Sequence, residues 1–230
     1  MSSFFTPYNT EQFNRSKTHH GVRGIEINKL ERSFFNQWKV MNRDFPHFGS
    51  TSGISSKMWW INLVKGTFKD VLEDKYDTET VDKIASELYS YYHTSDPYLV
   101  LDDGLESLKR MKDLKLKIGA ISNFDNRLHD IITLVGLREF VDFVVTAEDA
   151  RSSKPEKAIF ELAASKSNLE GLKPEDVLHI GDDVEKDYLG ARSVGWNSVL
   201  VDRKGGLNHV DFRVENLTHI FNFKSFSSRH

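Results

Sequence analysis

From Pro97 onward, short apolar runs alternate with segments of helical period, and this alternation restricts the chain more than any other feature. Runs at 116–121, 142–145, 177–180 and 198–201 read as strands, and the segments 103–113, 126–135, 156–167 and 185–194 read as helices. Continuously apolar strands joined by helices pack as a parallel sheet covered on both faces. The pattern therefore predicts an α/β core domain over 97–221 and a polar tail over 222–230. Before Pro97 the period is helical throughout. Ile27, Leu30, Phe34, Trp38 and Met41 form one stripe, and Val81, Ile84, Leu88 and Tyr91 form another. Met58, Trp59, Ile61, Leu63, Val64 and Phe68 suggest a largely buried helix between them, reached through the turn cluster Gly49-Ser50-Thr51-Ser52-Gly53. A weaker helix is expected from Tyr8 to about His20, which gives a helical domain over 8–96.

Composition narrows the function classes. A net charge of -3 and a pI near 6.3, with both signs interspersed, argue against nucleic acid as a partner. Cys is absent, so disulfides and thiolate zinc sites are excluded, which suits a reducing compartment. The start Met-Ser-Ser-Phe-Phe-Thr-Pro-Tyr has no basic segment followed by an apolar one, and no stretch reaches the ~20 apolar residues of a membrane span. The expectation is a soluble intracellular protein of the cytoplasm, with the nucleus open, that meets neither membrane nor nucleic acid. Oligomeric state is open.

Three polar signatures punctuate the alternating region. Ser122-Asn123 follows the run Leu-Lys-Ile-Gly-Ala-Ile, Lys154-Pro155 follows the second strand, and Gly181-Asp182-Asp183-Val184-Glu185-Lys186-Asp187 follows Val-Leu-His-Ile. In a parallel sheet, ligands sit at the carboxyl ends of the strands, where two of these signatures fall. Ser122 and Asn123 can face a phosphate oxygen there, with the positive end of the following helix behind them. The alternative is a plain turn in which Asp125 caps the helix. Asp182, Asp183 and Asp187 would repel one another unless a cation lay between them, and Mg²⁺ accepts one or two carboxylates plus waters and substrate phosphate. A solvated acidic cap is the alternative reading of these three. Pro155 suits a first helical position; Lys154 either turns inward to neutralise an anion or stays on the surface. His19-His20, His47, His93 and His129 are scattered without paired ligand spacing, and Phe45 to Phe48 are candidates to line an entrance.

Taken together, Ile-Ser-Asn-Phe-Asp, Lys-Pro and Gly-Asp-Asp-x-x-x-Asp-x-x-Gly-Ala resemble the second, third and fourth motifs of the haloacid dehalogenase-like hydrolase superfamily, in order and approximate spacing. The resemblance runs from about Glu11 to Val201. It implies a Rossmann-like core with an α-helical cap, and an enzyme acting on a small anionic or phosphorylated metabolite with Mg²⁺. It further implies that Ser122 binds a phosphoryl oxygen with the help of Asn123, that Lys154 orients and stabilises charge, and that Asp182 ligates Mg²⁺ with support from Asp183 and Asp187.

One part of that pattern is missing. Family members carry a nucleophilic Asp at the end of a first strand, in Asp-x-Asp-x-Thr or a variant, and no such motif follows an apolar strand in these 230 residues. Asp102-Asp103-Gly104 opens a helix instead. An aspartyl intermediate needs that carboxylate, so catalysis should fail and the hold on Mg²⁺ should be weakened or lost. In the family the strand lies centrally, between the strands that end at Ile121 and Ile180. Its loss would leave two interior edges with unpaired backbone groups, each costing ~1 to 3 kcal/mol against the ~5 to 15 kcal/mol of a whole domain. Either the two strands close on each other, or Ser3 to Thr6 is recruited as a poor replacement, or the sequence is a truncated isoform or an incomplete gene model; truncation is the expectation, because every other motif is intact. Function then divides between a phosphatase-like or dehalogenase-like hydrolase disabled in this chain, and a non-catalytic module that keeps the phosphate pocket for binding or regulation.

Overall fold

The structure, a computed structural model, describes residues 25–75 and 77–223. The helix expected from Tyr8 to His20, the Ser3 to Thr6 segment, and 224–230 of the polar tail lie outside the described residues. Among the described residues three long helices come first: α1 (Ile27–Asp44), α2 (Ser56–Leu72) and α3 (Thr78–Tyr91). Helix α2 starts because the Ser55 hydroxyl accepts from the Met58 N–H, and α3 because Asp77 accepts from the Thr80 N–H, each satisfying an amide the helix leaves unpaired. Helix α2 packs against both others. Trp59, Leu63 and Phe68 are fully buried on it beside Leu30, Phe34, Val81 and Ile84. Ile27 and Met58, placed on inward stripes by their spacing, stand exposed in the first turns of their helices.

The loop from α1 to α2 is held rather than loose. The Trp59 indole N–H donates to the Phe45 carbonyl at 2.8 Å, and the Phe48 ring lies 5.0 Å from that of Trp59. His47 and Phe48 take left-handed backbone angles, φ 50° and 58°, which side chains with a Cβ adopt only at a cost.

After Pro97 the alternation unfolds as α4 (Asp102–Asp113), β1 (Gly119–Ser122), α5 (Arg127–Leu134), β2 (Phe143–Thr146), a single turn α6 (Ala147–Ala150), α7 (Lys157–Lys166), β3 (Leu178–Gly181), α8 (Gly190–Ser193), β4 (Asn197–Val201) and β5 (Arg213–Val214). All pairings are parallel. Ile121 lies opposite Val145, Ile180 opposite Val199, and Val201 opposite Val214. Two departures from the predicted elements have local causes. The strand predicted from 116 begins only at Gly119, after Lys115 has turned through φ 57°. The helix predicted over 185–194 is a wider π turn over Val184–Leu189 that runs into α8, because the Asp183 carbonyl accepts from both the Asp187 and Tyr188 N–H groups.

Among the described residues the strands form two sheets, β1-β2 and β3-β4-β5, and β1 does not pair with β3. A cavity of about 1070 Å³ separates them, lined by Gly119, Ala120 and Ile121 on one side and by Leu178, His179 and Ile180 on the other. The facing edges do not close on each other, contrary to one of the outcomes anticipated from the sequence.

Candidate functional site

The site lies where β1 and β3 end. Just past β1, the Asn123 side chain exchanges two hydrogen bonds with the backbone of Lys154. Its Nδ2 donates to the Lys154 carbonyl at 2.8 Å, and its Oδ1 accepts from the Lys154 N–H at 2.7 Å. This reciprocal pair fixes the loop after α6 against the end of the first strand. Pro155 does not open α7 as its residue type suggested; it lies two residues before the helix begins at Lys157.

Lys154 runs inward and is buried. Its Nζ donates to the Ile121 carbonyl at 3.1 Å and to Asp187 Oδ1 at 2.5 Å. One ammonium thus bridges the end of β1 to the turn that follows β3, across the gap between the sheets. The surface alternative for this lysine is excluded.

Asp187 is equally enclosed. Oδ1 also accepts from His179 Nε2 at 2.9 Å, and Oδ2 accepts from the Asp183 N–H at 3.2 Å. Burial by itself would push the Asp187 carboxyl up, but the His179 hydrogen bond and the Lys154 charge outweigh it and hold the group well below the usual carboxylate range. For His179 burial wins, and the imidazole is pushed below its ordinary value. It is therefore neutral near pH 7, and since Asp187 is ionised the proton sits on Nε2. Gly181 makes this possible: a Cβ there would come within 2.2 Å of Asp187 Cγ, so only glycine lets the carboxylate reach under the strand end.

The remaining predicted residues sit differently. Ser122 is half-buried at the last position of β1, and its hydroxyl makes no hydrogen bond among the described residues. Asp182 is exposed. Asp183 caps the π turn by accepting from the Glu185 and Lys186 N–H groups, and pairs with the Lys186 ammonium at 2.7 Å. Burial would raise its pKa, but those bonds to Lys186 lower it. Asp125 is not the simple cap that its position suggested. It is fully buried in a two-bond pair with Arg127 at 2.9 and 2.6 Å.

Mg²⁺ demands near-octahedral oxygen ligation. Asp183 and Asp187 spend their oxygens on other partners, and among the described residues no group of three His, Cys, Asp or Glu side chains is arranged to hold a metal. The described residues do not by themselves supply a magnesium site. What they place at the end of β1 is the Lys154 ammonium, paired with Asp187, and the half-buried Ser122 hydroxyl.

Sequence reasoning singled out neither His179 nor the need for Gly181. The available signal was a lone titratable residue inside an apolar run, two residues before the glycine.

The comparisons with known proteins agree on one family. A family model for haloacid dehalogenase-like hydrolases matches residues 5–195. Haloacid dehalogenase-like hydrolase domain-containing protein 3 of Xenopus laevis is 38% identical over 184 residues, covering 79% of this chain and 73% of its own. The rhythmically expressed gene 2 protein of Drosophila melanogaster is 36% identical over 183 residues, covering 77% and 70%. Among solved structures, the putative HAD-hydrolase YfnB from Bacillus subtilis bound to magnesium superposes with a TM-score of 0.66 at 12% identity, covering 92% of this chain and 88% of its own. At that identity the likeness concerns the fold: an α/β core with a helical cap.

Proposed function

Because the chain belongs to the haloacid dehalogenase-like hydrolase family, we propose that its site serves phosphatase-like hydrolysis of a small phosphorylated metabolite, and that these 230 residues grip the anion without turning it over. The observation that carries the reading is the Lys154 bridge, which ties the end of β1 to the turn after β3 and sets a buried ammonium at the strand ends. Ser122 offers its hydroxyl and Asn123 its backbone N–H to a phosphoryl oxygen; Lys154 opposes the charge that builds on the transferring group. A bound Mg²⁺ would neutralise substrate charge, and Asp182, exposed at the end of β3, is the carboxylate for it. With no group of three His, Cys, Asp or Glu side chains arranged to hold a metal among the described residues, metal affinity is weak.

Hydrolysis by this route needs an attacking carboxylate. The cavity between β1 and β3 lies beside the grip, and a strand seated in it would deliver its last residue to Ser122 and Lys154. The 230 residues contain no Asp-x-Asp-x-Thr to do so. The test is a phosphomonoester screen with Mg²⁺ alongside calorimetry with inorganic phosphate. Phosphate binding without turnover is expected. Fusing an apolar strand that ends in Asp-x-Asp-x-Thr ahead of residue 1 should bring turnover. Turnover by the unfused chain that disappears in Asp182→Ala would overturn the reading.

A further inference from the structure

Two side-chain bonds from the helical cap to the core land beside the anion grip. The Trp60 indole N–H, on α2, donates to Asp125 Oδ2 at 2.5 Å, two residues beyond Asn123. His47 Nδ1, in the loop before α2, lies 3.0 Å from the hydroxyl of Ser153, the residue before Lys154. Asn123 and Lys154 are themselves locked together through the reciprocal bonds described above, so both cap contacts converge on one unit.

The first contact is built in an unusual way. Asp125 is fully buried, and Arg127 nearly so; the guanidinium already satisfies the carboxylate with two bonds, and the Arg127 N–H adds a third at 3.0 Å. Within the core each carboxylate oxygen already accepts from Arg127, yet the pair is expensive to keep from water. Cap side chains offset that cost. The guanidinium carbon lies 4.9 Å from the centre of the Trp60 ring and 4.5 Å from that of Tyr89 on α3, with Phe124 of the core at 5.4 Å. Two cap helices thus roof one ion pair with ring faces, and one of them adds a charge-assisted hydrogen bond. If the cap lifted, water would reach both charges and the turn from Ser122 to Arg127 would lose its roof.

We propose that Asp125 and Arg127 are positioning residues that latch the cap, through Trp60 and Tyr89, onto the Ser122-Asn123 turn, so that seating of the cap sets the order of the anion grip. The role of the ordered turn rests on the proposed function; the latch itself does not, and the experiment separates them.

Hydrogen exchange is followed in the full chain for wild type, Trp60→Phe and Tyr89→Leu. Trp60→Phe keeps a ring, removes the donor and trims the indole, and it should speed exchange across 119–127 by at least about tenfold, the worth of one hydrogen bond to a charged group. Tyr89→Leu removes one ring face from the half-buried Tyr89 and should speed it by about threefold. Strand β4, over 197–201, serves as the distant reference and should change by less than about twofold in both. Unchanged exchange over 119–127, or a rise matched at β4, overturns the latch. If Trp60→Phe does not fold, Tyr89→Leu decides by the same contrast. Calorimetry with inorganic phosphate should show weaker binding to Trp60→Phe than to wild type. Absence of phosphate binding by wild type sinks the grip reading, while the exchange contrast still judges the latch.

Discussion

Replacing Lys154 by Met would remove the charge at the centre of the site while keeping much of its aliphatic bulk. Both partners of the Lys154–Asp187 pair are almost closed to solvent, with 6% and 5% of their side chains exposed, so the screening that makes surface pairs weak does not apply. The variant leaves Asp187 with the His179 and Asp183 donors but no opposing charge, and it strips the Ile121 carbonyl of its partner. Breaking one side of a buried pair costs about 3–5 kcal/mol. For a domain of this size each kcal/mol lowers Tm by roughly 2–4 °C, so the fall should be roughly 6–20 °C. Urea unfolding followed by circular dichroism should show the midpoint drop with an unchanged slope, since a change in slope would signal altered compactness instead. The double variant Lys154→Met/Asp187→Asn removes both charges while its amide oxygen still accepts from His179, and it should recover about half of the loss or more. A single-variant cost under about 1 kcal/mol would be that of an exposed pair. It would refute the bridge across the two sheets, and with it the argument that Lys154 faces an anion.

Gly181→Ala drives a methyl into Asp187 and should cost about 1–3 kcal/mol in the same urea assay, because the carboxylate must move from its place under the strand end. Asp183→Ala removes the side-chain cap of the π turn and should cost about 1 kcal/mol, with phosphate binding kept; a loss of binding would assign Asp183 to the grip. Acid stability should depend on Asp103, whose carboxylate receives Arg203 and the Leu217 N–H. Burial would raise its pKa, but those partners lower it below the unfolded value, so its contribution is full above about pH 4 and lost as pH falls below that. Urea melts of Asp103→Asn between about pH 7 and 3 should therefore show a smaller acid loss than wild type, and equal slopes would remove Asp103 from the account.

The helices were legible because each buries one face, and a 3.6-residue period records that directly: Leu30, Phe34 and Met41, or Val81, Ile84 and Leu88, are inside as their spacing requires. The strands of the alternating region were legible as apolar runs because both faces of a parallel sheet are covered. Ile27 and Met58 were misplaced because a periodic pattern does not say where a helix leaves its neighbour. The π turn was invisible for a related reason, since a single carbonyl accepting two amides leaves no mark on hydrophobic period. Among the polar signatures, Asp182, Asp183 and Asp187 read alike in one dimension. In space one is exposed, one caps a turn and one is buried against Lys154 and His179, because each step around the π turn points a side chain in a new direction. Likewise, Asp125 and Trp60 are 65 residues apart, and nothing local connects them.

What the sequence determined on its own was the family, the parallel α/β core and the order of its polar motifs, because these depend on local period and on short runs of residue types. Tertiary structure alone decided which carboxylate meets Lys154, that the two sheets stand apart around a cavity, and that the cap rests on a buried ion pair just past the end of β1. Those outcomes depend on distance and desolvation between segments far apart in the chain, and neither quantity is written in the neighbours of any single residue.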